Sequence, residues 1–192
     1  MAEYRLTQAT ALGGTQPREE RIGDLLVSEN AEVALASVAA RLNRLSETLA
    51  AGRQYLGTEL PGPQRMTDSR PVRAWWSGPE QWLFEAPLAS HELLADEIKQ
   101  IFGQNASVTE QTGGWCAFEI TGPQCLALFE RLCSANVRAM QAGDALRSSI
   151  EHMSSFILCN EQGQSYSIRG PGSSAASLFE ALLAAAKSVA VT

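Results

Sequence analysis

Histidine and paired cysteine are the scarcest chemistry in this sequence. There are two histidines, His91 and His152, far apart in the chain. A catalytic histidine needs an orienting carboxylate and a nucleophile within reach, and the sequence marks neither, so both read as ordinary surface or core residues. The four cysteines, Cys116, Cys125, Cys133 and Cys159, form no C-x-x-C pair. That removes a zinc knuckle and a thioredoxin-type motif. Cys125 and Cys133 flank an apolar run and read as core filler, which fits free thiols in a reducing compartment. No run of five basic residues occurs and formal net charge is −6, so nothing draws the chain to nucleic acid or an anionic membrane. No apolar run reaches the roughly 18 residues of a membrane span. The first 20 residues lack a basic start followed by an apolar core, so no secretory signal is expected and a cytoplasmic protein is. H-E-x-x-H, G-x-S-x-G, G-x-G-x-x-G and Walker patterns are all missing.

What is present is apolar patterning. Hydrophobic residues make up 45% of 192 positions, enough for one compact domain or two small halves around a shared core. Residues 1–30 are polar and weakly patterned and read as a flexible N-terminal arm ahead of a domain at 31–192, with Gly13–Arg21 its mobile stretch. Over 31–57 the propensities favour helix. Leu42, Leu45, Leu49 and Leu56 keep helical spacing and Gly57 marks the stop, whereas the first half, "EVALASV", reads equally as helix or strand. Thr58–Pro71 contains three prolines and is a loop.

Three of the four tryptophans fall in "WWSGPEQW", Trp75 to Trp82. Two aromatic runs separated by Ser77-Gly78-Pro79-Glu80 predict a strand–turn–strand hairpin. Trp82 and Phe84 share one strand face and Leu83 takes the other, so this strand is covered on both faces. Core packing, a subunit interface through Trp75, Trp76 and Trp82, and a ligand platform are the three readings of this cluster.

Further on, "SHELLADEIKQIFG" predicts a helix capped by Ser90 with a stripe of Leu94, Ile98, Ile101 and Phe102. Ala106–Thr112 and Trp115–Ile120 alternate around Gly113-Gly114 and predict a second hairpin. Cys125, Leu128, Phe129 and Leu132 lie at i, i+3, i+4 and i+7 after Pro123 and predict another helix. "LRSSIEHMSSFILC" and "QSYSIRG" read as strands, with His152 inside the first. The last segment is a helix capped by Ser173 or Ser174, with Lys187 near its negative end. "RGPGSS" (Arg169–Ser174) is a capped turn rather than a phosphate loop. Glu80, Glu85, Glu110 and Glu119 are spread over turns and strand faces, with no pair fixed at catalytic distance. The order reads as βαββαβ twice, an α+β fold of two ferredoxin-like halves at about 31–112 and 113–192.

Four stretches taken together carry a resemblance: "ALASVAAR" (Ala34–Arg41), "LGTELPGP" (Leu56–Pro63), "WSGPEQWL" (Trp76–Leu83) and "SVTEQTGGWCAFEITG" (Ser107–Gly122). In order and spacing the chain resembles the bacterial gamma subunit of heterotetrameric sarcosine oxidase over roughly 31–188. The resemblance implies partnership with alpha, beta and delta subunits in a complex that demethylates sarcosine oxidatively to glycine, releasing hydrogen peroxide. It places FAD, FMN, NAD and zinc in the other subunits and no cofactor, metal or catalytic residue on this chain. It implies a fold similar to the folate-binding domain of glycine-cleavage aminomethyltransferases, and it favours "EVALASV" as a strand. The alternative is a stand-alone folate-binding or one-carbon-transfer domain, which rests on fold analogy.

Overall fold

The computed structural model describes residues 9–191. They form a mixed α+β architecture of two antiparallel sheets and four helices. Along the chain the strands and helices run β1 (Glu19–Ile22), β2 (Leu25–Glu29), β3 (Val33–Ala40), α1 (Leu45–Leu56), β4 (Arg73–Gly78), β5 (Gln81–Pro87), α2 (Leu94–Phe102), β6 (Ala106–Glu110), β7 (Trp115–Thr121), α3 (Cys125–Leu132), β8 (Ala145–Ile150), β9 (Met153–Glu161), β10 (Ser165–Pro171) and α4 (Ala175–Ala190). Strands β4-β5-β3-β6 make a four-stranded sheet, and β1-β2-β7-β10-β9-β8 a six-stranded one.

Period-2 alternation explains the layering. In β5, Trp82, Phe84 and Ala86 point to the side where α1 and α2 pack, joining Ala34, Ala36 and Val38 of β3 and Leu94, Ile98 and Phe102 of α2. The intervening Leu83 points the other way, with Leu35 and Trp75, and meets Phe156 and Leu158 of the six-stranded sheet. The far face of that sheet carries Phe118, Ile120, Ile157, Tyr166 and Ile168 against Phe129 of α3 and Phe179 and Leu182 of α4. The result is four layers: helices, sheet, sheet, helices.

"EVALASV" is strand β3. Its alternating residues are buried on both faces, and that tertiary demand outweighs the helical propensity of Ala and Leu. The helix begins only at Leu45; Leu42 is 88% exposed beside Asn43, whose φ is 61°, so Leu42 does not belong to the helical stripe that its spacing predicts. The β4–β5 hairpin forms as its sequence predicts, turning at Pro79-Glu80.

Three expectations are corrected. First, Gly113-Gly114 does not close a hairpin. β6 pairs with β3 in the smaller sheet and β7 with β2 and β10 in the larger, so the two alternating runs have partners distant in sequence and the glycine pair is the crossover. Second, the segment before residue 31 is not a free arm from residue 9 onward. β1 and β2 form a hairpin that extends the larger sheet at β7, burying Leu25 and Val27 completely. Gly122 permits this docking: its φ is 134°, and a Cβ there would lie 2.2 Å from the Asp24 carbonyl oxygen. Residues 1–8 lie outside the described residues. Third, the second run is not βαββαβ. The stretch around His152 is two strands, β8 and β9, joined by Glu151-His152, both at positive φ (47° and 68°). That is the geometry of a two-residue hairpin turn, here made without glycine and so invisible to turn signals. The second run is therefore β-α-β-β-β-α.

Candidate functional site

The most concentrated chemistry lies between the sheets, at positions whose sequence shows nothing but alternation. Arg73 of β4 and Glu85 of β5 face Glu119 of β7 and Arg169 of β10. Arg169 is fully buried. Its Nε donates to Glu85 Oε2 at 2.7 Å, and its Nη2 donates to Glu85 Oε1 and Glu119 Oε1, both at 3.0 Å. Its Nη1 donates to the Ile168 carbonyl at 3.0 Å. Arg73 donates to Glu85 Oε1 through Nη2 (2.6 Å) and Nε (2.9 Å), and to Asn160 Oδ1 at 3.2 Å. Asn160 passes the network on to Ser167 (2.8 Å), whose hydroxyl donates to Glu119. Two guanidiniums and two carboxylates thus cancel, and four strands from both sheets are tied at one point.

The electrostatics make this seam structural. Burial alone would raise the Glu85 carboxyl, but Arg169 and Arg73 hold it at about 2, so it is ionised, fully hydrogen-bonded and unable to act as an acid or base near neutrality. Burial likewise opposes the charge on Arg169, and Glu85 and Glu119 overcome it, keeping that guanidinium above its ordinary value. The Cys116 and Cys125 thiols are equally inert. Burial pushes Cys116 up to about 11 and Cys125 up to about 12, and a nucleophilic cysteine needs the opposite shift. All four cysteines are free; Cys125 is buried as core filler, while Cys133 is only half-buried.

The sequence-predicted candidates fall elsewhere. Trp75 is completely buried between the sheets, with Phe156 edge-on at 6.1 Å. Trp82 is buried under the helices, its Nε1 donating to the Pro61 carbonyl at 2.9 Å. Neither has surface to offer a partner. Trp76 is half-buried on the helix side and is the member of the trio with area left. Of the four scattered glutamates, Glu85 and Glu119 meet at Arg169, while Glu80 sits in the β4–β5 turn and Glu110 accepts the Gln111 and Thr112 backbone N–H groups. His91 contacts the Ser90 hydroxyl, and Ser90 also donates to the Pro87 carbonyl rather than capping α2. Gly172–Ser174 is a 3₁₀ turn leading into α4, with no side-chain cap at Ser174. Sequence reasoning missed Arg73 and Arg169. The available signal was an arginine beside apolar residues in a short strand, as in "SYSIRG" and "VRAWW", where a charge on a strand buried on both faces requires a partner.

Among the described residues no group of three or more His, Cys, Asp or Glu is placed to hold a metal ion, and no helix is long and apolar enough to cross a membrane. Concavities among the described residues include a groove of about 760 Å³ along α4 and Arg131, a cavity of about 560 Å³ beside Arg65 and Asp144, and another of about 560 Å³ between the N-terminal loop and the sheet crossover.

No protein-family model matches the chain, and none of the curated proteins does. Solved structures do. A chain of heterotetrameric sarcosine oxidase from Corynebacterium sp. U-96, in complex with pyrrole 2-carboxylate, superposes with a TM-score of 0.76 at 18% identity, covering 90% of this chain and 89% of that one. Glycine cleavage system aminomethyltransferase T from Bartonella henselae superposes with a TM-score of 0.60 at 16% identity over 84% of this chain. The chain spans 46% of that protein's length. At such identities the likeness establishes a shared fold.

Proposed function

We propose that this chain is a non-catalytic structural subunit, of the gamma type, in a heterotetrameric sarcosine oxidase. The observation that carries the reading is the end-to-end likeness to one chain of such an oxidase, 90% of this chain against 89% of that one. A second observation agrees with it. Arg73, Arg169, Glu85 and Glu119 neutralise one another, and the Cys116 and Cys125 thiols are pushed up to about 11 and 12, which leaves these groups to packing and assembly. In this reading FAD, FMN, NAD and zinc belong to the alpha, beta and delta partners, and this chain contributes surface. An obligate interface of that kind covers on the order of 2,000 Å² or more, with Trp76 as the remaining aromatic candidate.

The test is expression of the partner subunits with and without this chain, followed by size exclusion and a sarcosine-dependent peroxide assay. The expected result is loss of the full-size complex and of peroxide release when the chain is omitted. Unchanged size and activity would overturn the proposal. The likeness to aminomethyltransferase T favours the second reading, a stand-alone folate-binding or one-carbon-transfer domain. Calorimetric titration of the chain with tetrahydrofolate separates the two: no binding at micromolar concentrations is expected, and micromolar or tighter affinity would promote the second reading.

A further inference from the structure

The cavity between the N-terminal loop and the crossover has a charge pattern that selects a ligand. Its volume, about 560 Å³, is in the range of small-molecule sites, roughly 300–1,000 Å³. Among the described residues no arginine, lysine or histidine lines it, and the ionisable side chains of its wall are Glu32 and Cys116. Burial raises the Cys116 thiol to about 11, so among the described residues the acidic group of the wall is the Glu32 side chain. Among the described residues phosphates and carboxylates find no counter-charge here, whereas one positive charge does.

The walls are held in place before any ligand arrives. The Trp115 ring packs on Phe156 with centroids 5.5 Å apart, and its Nε1 donates to Gln111 Oε1 at 3.1 Å. Glu32 is oriented by its backbone N–H, which donates to Asn30 Oδ1 at 3.1 Å, while its exposed carboxylate has no hydrogen-bond or ion-pair partner among the described residues. The Gly172 N–H donates to the Gly114 carbonyl at 2.9 Å, locking one side. The opposite side is the N-terminal loop, clasped by the buried Glu29, which accepts the Leu12 and Arg18 N–H groups at 2.9 and 3.1 Å. An indole face attracts an ammonium through the ring quadrupole, and a nearby carboxylate adds to that attraction.

We propose that this cavity binds a small organic monocation, an alkylated ammonium seated against Trp115 and balanced by Glu32. This goes beyond the subunit reading and does not rest on it. The probe is choline, with 3,3-dimethyl-1-butanol as its uncharged counterpart of the same shape, titrated into the full chain labelled at the tryptophan indole nitrogens. The Trp115 resonance is identified by its loss in Trp115→Phe. Choline is expected to shift that resonance saturably, the uncharged alcohol to bind at least about fivefold more weakly, and Glu32→Gln to weaken choline by about the same factor. Glu32 is exposed, so the substitution leaves the fold intact, which the remaining three indole signals report. No saturable shift with choline, equal affinity for the alcohol, or an unchanged choline affinity in Glu32→Gln would each overturn the proposal.

Discussion

At the scale of single residues, the buried arginines decide more than the tryptophans that dominate the sequence. Arg169→Met removes the guanidinium that bridges Glu85 and Glu119, leaving Glu85 with Arg73 as its one cation and Glu119 with hydroxyl and amide donors from Ser167 and Asn30. The expected loss is about 3–5 kcal/mol, the range for breaking a buried pair from one side, read as a lower denaturant midpoint. Glu85 also sets an acid limit. Its carboxyl falls from 4.5 to about 2 on folding, so the unfolded chain binds its proton first. The stabilisation it gives is complete above about pH 4.5 and is lost as pH falls toward 2. Stability measured between those values is expected to drop steeply in the native chain and less steeply in Glu85→Gln. An identical slope would remove Glu85 from the acid response. Trp82→Ala empties a site beneath the helices and frees the Pro61 carbonyl, and a loss of about 3–5 kcal/mol is expected; an unchanged denaturant midpoint would take Trp82 out of the core.

At the scale of elements, α1 shows a local rule overridden by packing. Glycine inside a helix normally destabilises by roughly 0.5–1 kcal/mol relative to alanine. Yet Gly52 is buried in α1, and a Cβ there would sit 2.5 Å from Leu60 Cγ. Leu60, in the proline-rich loop, closes over the helix at this gap. Gly52→Ala is therefore expected to destabilise by about 1–3 kcal/mol, as overpacking does, and to cost less when made in a Leu60→Ala background than in the native chain. A stabilised single variant, read by thermal melting, would mean that Leu60 moves freely. The same logic explains why α2 begins at Leu94 without a side-chain cap. Leu94, Ile98 and Phe102 are fully buried, and that burial fixes the helix whatever its first turn lacks.

At the scale of the whole molecule, the N-terminal hairpin is part of the core. Leu25 and Val27 have no exposed surface, and burying each contributes roughly 1.5–3 kcal/mol. β2 also covers the β7 edge through four register pairs, Leu26–Thr121 to Glu29–Phe118. Removal of residues 1–30 is expected to leave a destabilised chain that associates through the bared β7 edge, visible as a shifted size-exclusion profile and a lowered melting temperature. A monomer melting like the intact chain would show that the hairpin is dispensable.

The sequence by itself determined what pattern and turn chemistry encode locally. α3 and its stripe of Cys125, Leu128, Phe129 and Leu132 are legible because helical contacts span three or four residues. So is the β4–β5 hairpin, whose partners meet across a two-residue turn. The mixed α+β class follows from the alternation of the two periods. Tertiary structure alone decided which strands pair across the chain. β6 and β7 are consecutive yet belong to different sheets, and β2 joins β7 across almost ninety residues. It also decided the seam, since Arg73, Glu85, Glu119 and Arg169 lie on four strands and carry no spacing that relates them. The cavity of Glu32 and Trp115 has the same origin: its walls come from the N-terminal loop, the start of β3 and the sheet crossover. A hydrophobic period records which face of an element is covered, not what covers it, so pairings and sites assembled from distant segments leave no mark in any short stretch of sequence.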